Sequence, residues 1–304
     1  MNTDWFLIVN PTSGNGKSKK SWQHISTLLT NHSIRFSFAF TEYSKHESEL
    51  AQHAINNGFT KIISVGGDGT LHHIVNGIMS QNIVETTTIQ VGVIPIGTGN
   101  DWVKTYNIPT KIEKSILTIK KGNSILQDIG KLTTENNTNI YFNNVAGIGY
   151  DGYVVNKLKK LKKYGGIAYL LSGLSGLLFY KKSDFIIEIN NQTIQERCLM
   201  TIFGICKFSG GGMQFTKDVN PSDGLLDITI AKNLTLLDLI LNLPKLYNGN
   251  IVHHKKVTTY KSNTLKVTPT STVEKPFIQA DGELIDSGSV YVSIVKNAIQ
   301  FIIP

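Results

Sequence analysis

The sequence predicts an α/β unit with a parallel sheet and helices on both faces, followed by an antiparallel β-sandwich. Three observations carry the prediction. Short apolar, β-branched runs alternate with helix-period segments over about the first 120 residues. A segment rich in small residues follows several of those runs. Beyond Ser124 the helices give way to closely spaced strands with turn residues between them.

Trp5 to Val9 is a short apolar strand ending in Asn10-Pro11-Thr12-Ser13-Gly14-Asn15-Gly16-Lys17-Ser18. The segment nearly matches a P-loop, but Pro11 stands where the first glycine belongs. Proline has no N–H and a fixed φ, so the standard cradle is excluded and a different small-residue phosphate loop stays open. Trp22, Ile25, Leu28 and Leu29 continue as a helix face, Arg35 to Thr41 alternates as a strand, and Glu47 to Asn57 reads as a helix.

Lys61 to Val65 is a buried-type strand running into Gly66-Gly67-Asp68-Gly69-Thr70, after which Leu71, Ile74, Val75, Ile78 and Met79 mark one helical face. Three glycines in four residues bring backbone amides close to a ligand, and the helix N-terminus behind them favours phosphate. Asp68 would repel a phosphate unless a divalent cation or water lies between; the plainer reading is a chain-reversing turn with Asp68 as a cap. Gln90 to Ile94 is the next strand, followed by Pro95-Ile96-Gly97-Thr98-Gly99-Asn100-Asp101. The segments at 10–18, 66–70 and 97–101 all follow strands, so they converge on one sheet edge as a nucleotide site requires.

The domain boundary is expected near residue 123, with the site in the cleft between the domains. Ser124–Ile129, Ile140–Ala146, Asp184–Ile189, Cys198–Ile205, Leu225–Ala231, Lys255–Lys261, Thr264–Thr268 and Val290–Val295 read as strands. Two insertions interrupt them. Asn156 to Lys182 places five lysines before the apolar run Gly165 to Tyr180, which suits either an anionic membrane surface or a packed helix with solvated lysines. Thr235 to Tyr247 has leucines at helical spacing and is expected to pack as core.

Asp223 in Asn220-Pro221-Ser222-Asp223-Gly224-Leu225 lies in a turn whose carbonyls could join it around Mg²⁺ or Ca²⁺, although Asp-Gly turns commonly bind nothing. In Ala280-Asp281-Gly282-Glu283, strand spacing would put both carboxylates on one face, one of them suited to act as a general base for a hydroxyl; the plainer reading is a solvent-exposed hairpin turn.

Bulk composition narrows the classes. The 304 residues carry a net charge of +8, almost wholly from lysine, since Arg35 and Arg197 are the only arginines. No nucleic-acid motif is present, and lysine-rich charge suits anionic headgroups or a nucleotide as well as plain solubility. No apolar stretch is long enough to span a bilayer, and Met1 to Phe6 carries Asp4 without a cationic leader, so a cytosolic chain is expected. Cys198 and Cys206 are expected as buried free thiols.

In this order, Asn10-Pro11 with Ser13-Gly14, Gly66 to Thr70, Gly97 to Asp101, Gly147-Ile148-Gly149-Tyr150-Asp151, Asp223-Gly224 and Asp281-Gly282-Glu283 resemble the diacylglycerol kinase, sphingosine kinase and bacterial lipid kinase family over essentially the whole chain. The soluble bacterial diacylglycerol kinases look most similar. The resemblance implies ATP-dependent phosphorylation of a lipid hydroxyl, with diacylglycerol as the first acceptor and a sphingoid base, phosphatidylglycerol or NAD as alternatives. ATP would be held by Asn10, Pro11, Thr12, Ser13, Gly14, Thr41, Gly66, Gly67, Asp68, Gly69, Thr70, Gly97, Thr98 and Asn100. Glu283 would act as base beside Asp281. Asp223 with the carbonyls of Asn220 and Leu225 would bind a structural Mg²⁺, and Asp68, with Asp101 and Asp128, would serve the catalytic metal. It also implies a C-terminal strand returning to the first domain over 298–304, a homodimer, and peripheral contact with an anionic membrane. Lys17 and Lys104 are the candidate cationic fingers. Two departures stand out. His72-His73 replaces the family's Asn-Glu, which would weaken or pH-gate the activity, or leave a nucleotide-binding regulator. Trp102 and Lys104 stand near the positions of the usual aromatic and arginine.

Overall fold

The computed structural model describes residues 4–158, 176–177, 179–216, 218–271 and 273–304. Most of the lysine-rich first insertion, and with it the expected membrane-facing helix, therefore lies outside the described residues. The chain divides into two compact units, Met1–Asp128 with Lys296–Pro304, and Ile129–Val295.

Unit 1 is an α/β layer structure. Its strands are β1 (Trp5–Val9), β2 (Phe36–Phe40), β3 (Lys61–Gly66) and β4 (Gln90–Pro95), in the order β2-β1-β3-β4, all parallel. The last strand of the chain, β15 (Val290–Ile302), brings Gln300 and Phe301 beside Gln90 and Val91 of β4, also in parallel. Strand side chains alternate between faces. Trp5, Leu7 and Val9 of β1, Ile63 and Val65 of β3 and Ile94 of β4 face α1 (Ser13–Asn31) and α5 (Ile112–Lys121) through Ile25, Leu29, Ile116 and Ile119. The other face is covered by α2 (His46–Asn56) and α3 (Asp68–Met79), which pack on each other and on β1 and β3. A parallel sheet buried on both faces accounts for the unbroken apolar strands. α4 (Asp101–Thr105) is a single short helix whose Trp102, 1% exposed, donates from Nε1 to Gln127 Oε1 at 2.9 Å and packs on Tyr106 and Phe301. The aromatic at that position is thus structural.

β5 (Ser124–Thr134) leads into unit 2, where it pairs antiparallel with β6 (Asn139–Phe142). The remaining strands are β7 (Val145–Gly149), β8 (Ser183–Ile189), β9 (Gln192–Gly204), β10 (Leu226–Lys232), β11 (Val257–Ser262), β12 (Thr264–Pro269), β13 (Phe277–Ala280) and β14 (Glu283–Ser287). They pair antiparallel in the order β14-β13-β7-β9-β8-β12-β15, with β10 on β9 and β11 on β10. α6 (Tyr150–Leu158) follows β7.

Three expectations change. Ile140 to Ala146 is two strands, because the chain breaks at Asn143-Asn144 between β6 and β7. Val290–Val295 and the C-terminal strand are one continuous element. Thr235 to Tyr247 forms two short helices, α7 (Leu236–Leu241) and α8 (Leu243–Tyr247); only Leu239 and Leu246 are buried, while Leu237 and Leu241 are 65% and 69% exposed. The two helices turn Leu239 and Leu246 into the unit's core, with Leu243 partly buried beside them, and leave Leu237 and Leu241 uncovered.

Candidate functional site

In unit 1 the three small-residue loops leave the carboxyl ends of β1, β3 and β4, which are neighbours. Parallel pairing therefore sets all three at one edge. Asn10 closes β1: its N–H donates to Val65 O at 3.1 Å, and its Oδ1 accepts from Thr12 N at 3.0 Å and Thr12 Oγ1 at 2.8 Å. Gly14, Asn15 and Gly16 then take left-handed conformations in succession, at φ 61°, 57° and 81°. Pro11, with no N–H at the first glycine position, is why the segment is no Walker loop. Thr41, buried, lies just after β2 and donates its N–H to Val9 O at 2.9 Å.

Gly67 is the extended residue before α3, and it meets the third loop directly: a Cβ at Gly97 would sit 2.7 Å from Gly67 Cα. The only residue that permits this approach is glycine. Asn100, at φ 49°, donates from Nδ2 to Gly97 O at 2.9 Å and holds that loop closed. Asp68 does not stand alone among the loop amides. Its Oδ2 accepts from Asp101 N at 3.1 Å and its Oδ1 from Trp102 N at 3.2 Å, so it caps α4 and fastens the second loop to the third. The neighbouring acids are also committed: Lys104 Nζ pairs with Asp101 Oδ1 at 2.7 Å, and Asp128 Oδ1 accepts from Asn297 N at 2.7 Å. Asp68 thus bonds to backbone where the sequence suggested a cation, and Lys104 is spent on Asp101. Thr98 is exposed, and Thr70 is buried over Gly66.

A cavity of about 510 Å³ opens beside these loops, lined among others by Gly14, Lys17, His24, Gly97, Asn100 and Lys111. Its volume falls in the range of small-molecule sites. Lys17, exposed, is the remaining candidate cation from the sequence; Lys111 and His24 join it only because α5 packs against α1. Sequence reasoning also missed Glu47, a buried carboxylate in the first turn of α2 that accepts from Asn10 Nδ2 at 3.0 Å. Its signal was slight: one acid at the head of a helix. His73 is held to about pH 4 by burial, helped by His72 and Lys45, so it is neutral at physiological pH and forms no gate there.

In unit 2, Asp281 and Glu283 do not share a strand face. β13 ends at Ala280 and β14 begins at Glu283, with Asp281 (φ 51°) and Gly282 (φ 80°) forming the tight turn between. Asp281 Oδ1 accepts from Asn144 N at 3.0 Å and Val145 N at 3.2 Å, and Oδ2 from Asn143 N at 3.1 Å. It is therefore the clamp on the β6–β7 break. Gln279 steadies the same turn: its Oε1 accepts from Gly282 N at 2.9 Å, and its Nε2 donates to Asp151 Oδ2. Burial pushes the Asp151 carboxyl up to about 6. Glu283 stands half-buried at the mouth of this turn.

At the expected metal turn, Asp223 Oδ1 accepts from Leu225 N at 3.0 Å, and Oδ2 pairs with Lys261 Nζ at 3.0 Å. Asn220 O accepts the Asp223 N–H at 3.4 Å. Asp227 lies alongside, with Oδ1 3.5 Å from Lys261 Nζ and a buried Oδ2 that has no hydrogen-bond partner; burial pushes its carboxyl up to about 6. Carboxylate and carbonyl oxygens with one orphaned oxygen fit a hard divalent cation, and Lys261 supplies the counter-charge here. Among the described residues no three His, Cys, Asp or Glu side chains cluster as a metal centre. Among them, too, no helix is long and apolar enough to cross a membrane. Cys198 and Cys206 are buried free thiols, as expected.

Comparisons with known proteins converge. The diacylglycerol kinase catalytic domain profile matches residues 4–132, and the YegS C-terminal NAD kinase beta sandwich-like domain profile matches residues 144–303. A diacylglycerol kinase of Bacillus subtilis is 30% identical over 291 residues, covering 91% of this chain and 88% of its own. One from Staphylococcus carnosus is 27% identical over 278 residues, covering 91% and 87%. The crystal structure of a diacylglycerol kinase from Bacillus anthracis superposes with a TM-score of 0.73 at 19% identity over 99% of this chain and 97% of that one. A second chain from that organism reaches a TM-score of 0.79 at 22% identity, with the same coverage. The catalytic-domain match and these relatives define a lipid kinase. The chain belongs to the diacylglycerol kinase family.

Proposed function

We propose that this kinase transfers the γ-phosphoryl group of ATP to the free hydroxyl of diacylglycerol, giving phosphatidic acid. The observation that carries the reading is the meeting of three glycine-rich loops at the carboxyl edge of the unit 1 sheet, where Gly97 backs onto Gly67. Asn10, Thr12 and Ser13, with Pro11 between them, shape the first loop through bonds among themselves and to β3, and the backbone of Gly14, Gly66 to Thr70, Gly97, Thr98 and Asn100, with Thr41, suits a nucleotide and its phosphates. Lys17 adds an exposed positive charge, and Asp68 acts by holding α4 in place.

Glu283 takes the proton from the acceptor hydroxyl as the oxygen attacks phosphorus and ADP leaves. Asp281 fixes the turn that presents it. Asp223, with the carbonyls of Asn220 and Leu225, would hold a structural Mg²⁺, and Mg²⁺ carried with ATP would neutralise phosphate charge. A lipid acceptor brings peripheral contact with an anionic membrane into the same reading, and so does the homodimer expected of the family.

The test is transfer of labelled γ-phosphate from ATP with Mg²⁺ to mixed micelles holding diacylglycerol, monoacylglycerol, phosphatidylglycerol or a sphingoid base, beside NAD in solution. Label in phosphatidic acid is the expected result. The NAD kinase-like sandwich makes NAD the competing acceptor. Label in NAD alone would overturn the assignment.

A further inference from the structure

We infer that Glu47 is a positioning residue of the nucleotide site, whose buried carboxylate fixes the direction of the Asn10 amide and, through it, the shape of the first loop. The inference rests on the assignment of these loops to ATP. Glu47 is 3% exposed, and a carboxylate is buried only where donors satisfy it.

The Asn10 amide sits at a crossing of four bonds. Its NH₂ donates to Glu47 Oε1 at 3.0 Å and to Thr70 Oγ1 at 3.2 Å. Its carbonyl oxygen accepts from Thr12 N at 3.0 Å and Thr12 Oγ1 at 2.8 Å. One side therefore offers acceptors and the other offers donors. A flipped amide would set its oxygen against the carboxylate and its NH₂ against the Thr12 N–H, so one orientation is satisfied and the other is not. Glu47 is the only charged group in this set, and a hydrogen bond to a charged acceptor is worth more than a neutral one. The four residues come from the end of β1, the loop after it, α2 and α3. A single amide thus ties the first phosphate loop to the helix that follows the second, and Glu47 locks that amide from behind. It touches no reacting atom in this scheme, so its loss should fall on nucleotide affinity and spare turnover.

The full-length chain is titrated with a non-hydrolysable ATP analogue and Mg²⁺ by calorimetry, comparing wild type, Glu47→Ala, Glu47→Met and Glu47→Gln. Kinetics with the lipid acceptor and hydrogen exchange at the Thr12 amide without nucleotide accompany the titration. Methionine fills the space without offering an acceptor oxygen, and it carries the test if alanine unfolds α2. The expected result is a roughly tenfold loss of analogue affinity and a matching rise in KM for ATP in the Ala and Met variants, with kcat within threefold. Thr12 exchange should quicken in both. Glu47→Gln keeps an acceptor oxygen without the charge and should fall between wild type and the Ala variant in affinity and in Thr12 exchange. Affinity within twofold of wild type in both Ala and Met variants, or a Gln variant as weak as Ala, would overturn the role of Glu47. A wild-type chain that binds no analogue would instead sink the ATP assignment; the Thr12 exchange would still decide whether Glu47 orders the loop.

Discussion

At the residue scale, several acids of this chain hold backbone together. Asp281 spends both oxygens on three backbone amides across the β6–β7 break. Asp281→Ala leaves those donors without their charged acceptor and should lower unfolding stability by about 3 kcal/mol, read from urea denaturation of the whole chain. Asp151 gives a pH signature. Its carboxyl is raised to about 6 by burial, so the folded chain favours the protonated form. The stability that this proton confers is full below about pH 4 and is lost as the pH rises through about 6. Asp151→Asn keeps an acceptor for Gln279 and removes the charge. It should stabilise the chain by about 1–2 kcal/mol at pH 7.5, the lower end because part of the side chain stays in water, and flatten the slope between pH 4 and 6. The work of Asp281 was not legible in the sequence, since its partners lie 136 to 138 residues away. Glu47 escaped for the same reason: only the packing of α2 on β1 and α3 turns one helical acid into part of a loop.

At the element scale, the strand-to-helix turns carry the design. Their apolar β-branched runs and glycines made β1, β3 and β4 legible, because a strand buried on both faces has little freedom in composition. What composition could not reveal is how closely the loops touch. A Cβ at Gly97 would lie 2.7 Å from Gly67 Cα and 2.5 Å from Asn100 Oδ1. Gly97→Ala must therefore push the two loops apart. The expected outcome is at least a tenfold rise in KM for ATP with an unchanged far-UV circular dichroism spectrum. Asp-Gly fits either a two-residue turn or a glycine-broken strand; the turn is the plainer reading of the sequence, and the left-handed angles at Asp281 and Gly282 bear it out. The leucines of α7 and α8 mislead: helical spacing predicts a face, while burial depends on what the rest of the unit can cover.

At the scale of the whole molecule, the order of motifs was more legible than any one of them. Each glycine turn or Asp-Gly pair is common; their succession along one chain marks the diacylglycerol kinase family, whose profile and relatives match it. His73 marks a departure that geometry explains only in part. It lies one turn beyond Thr70 and is neutral at physiological pH, so it neither adds a carboxylate nor switches the site near neutrality. The two halves of the proposed chemistry, nucleotide loops in unit 1 and Glu283 in unit 2, make one claim together: binding and proton removal are separable. The measurement that tests it most directly pairs turnover on diacylglycerol with ATP-analogue affinity in Glu283→Ala. A loss of turnover by two or more orders of magnitude with affinity within twofold of wild type is the predicted result. Turnover retained within a few fold would contradict it and remove Glu283 as the base.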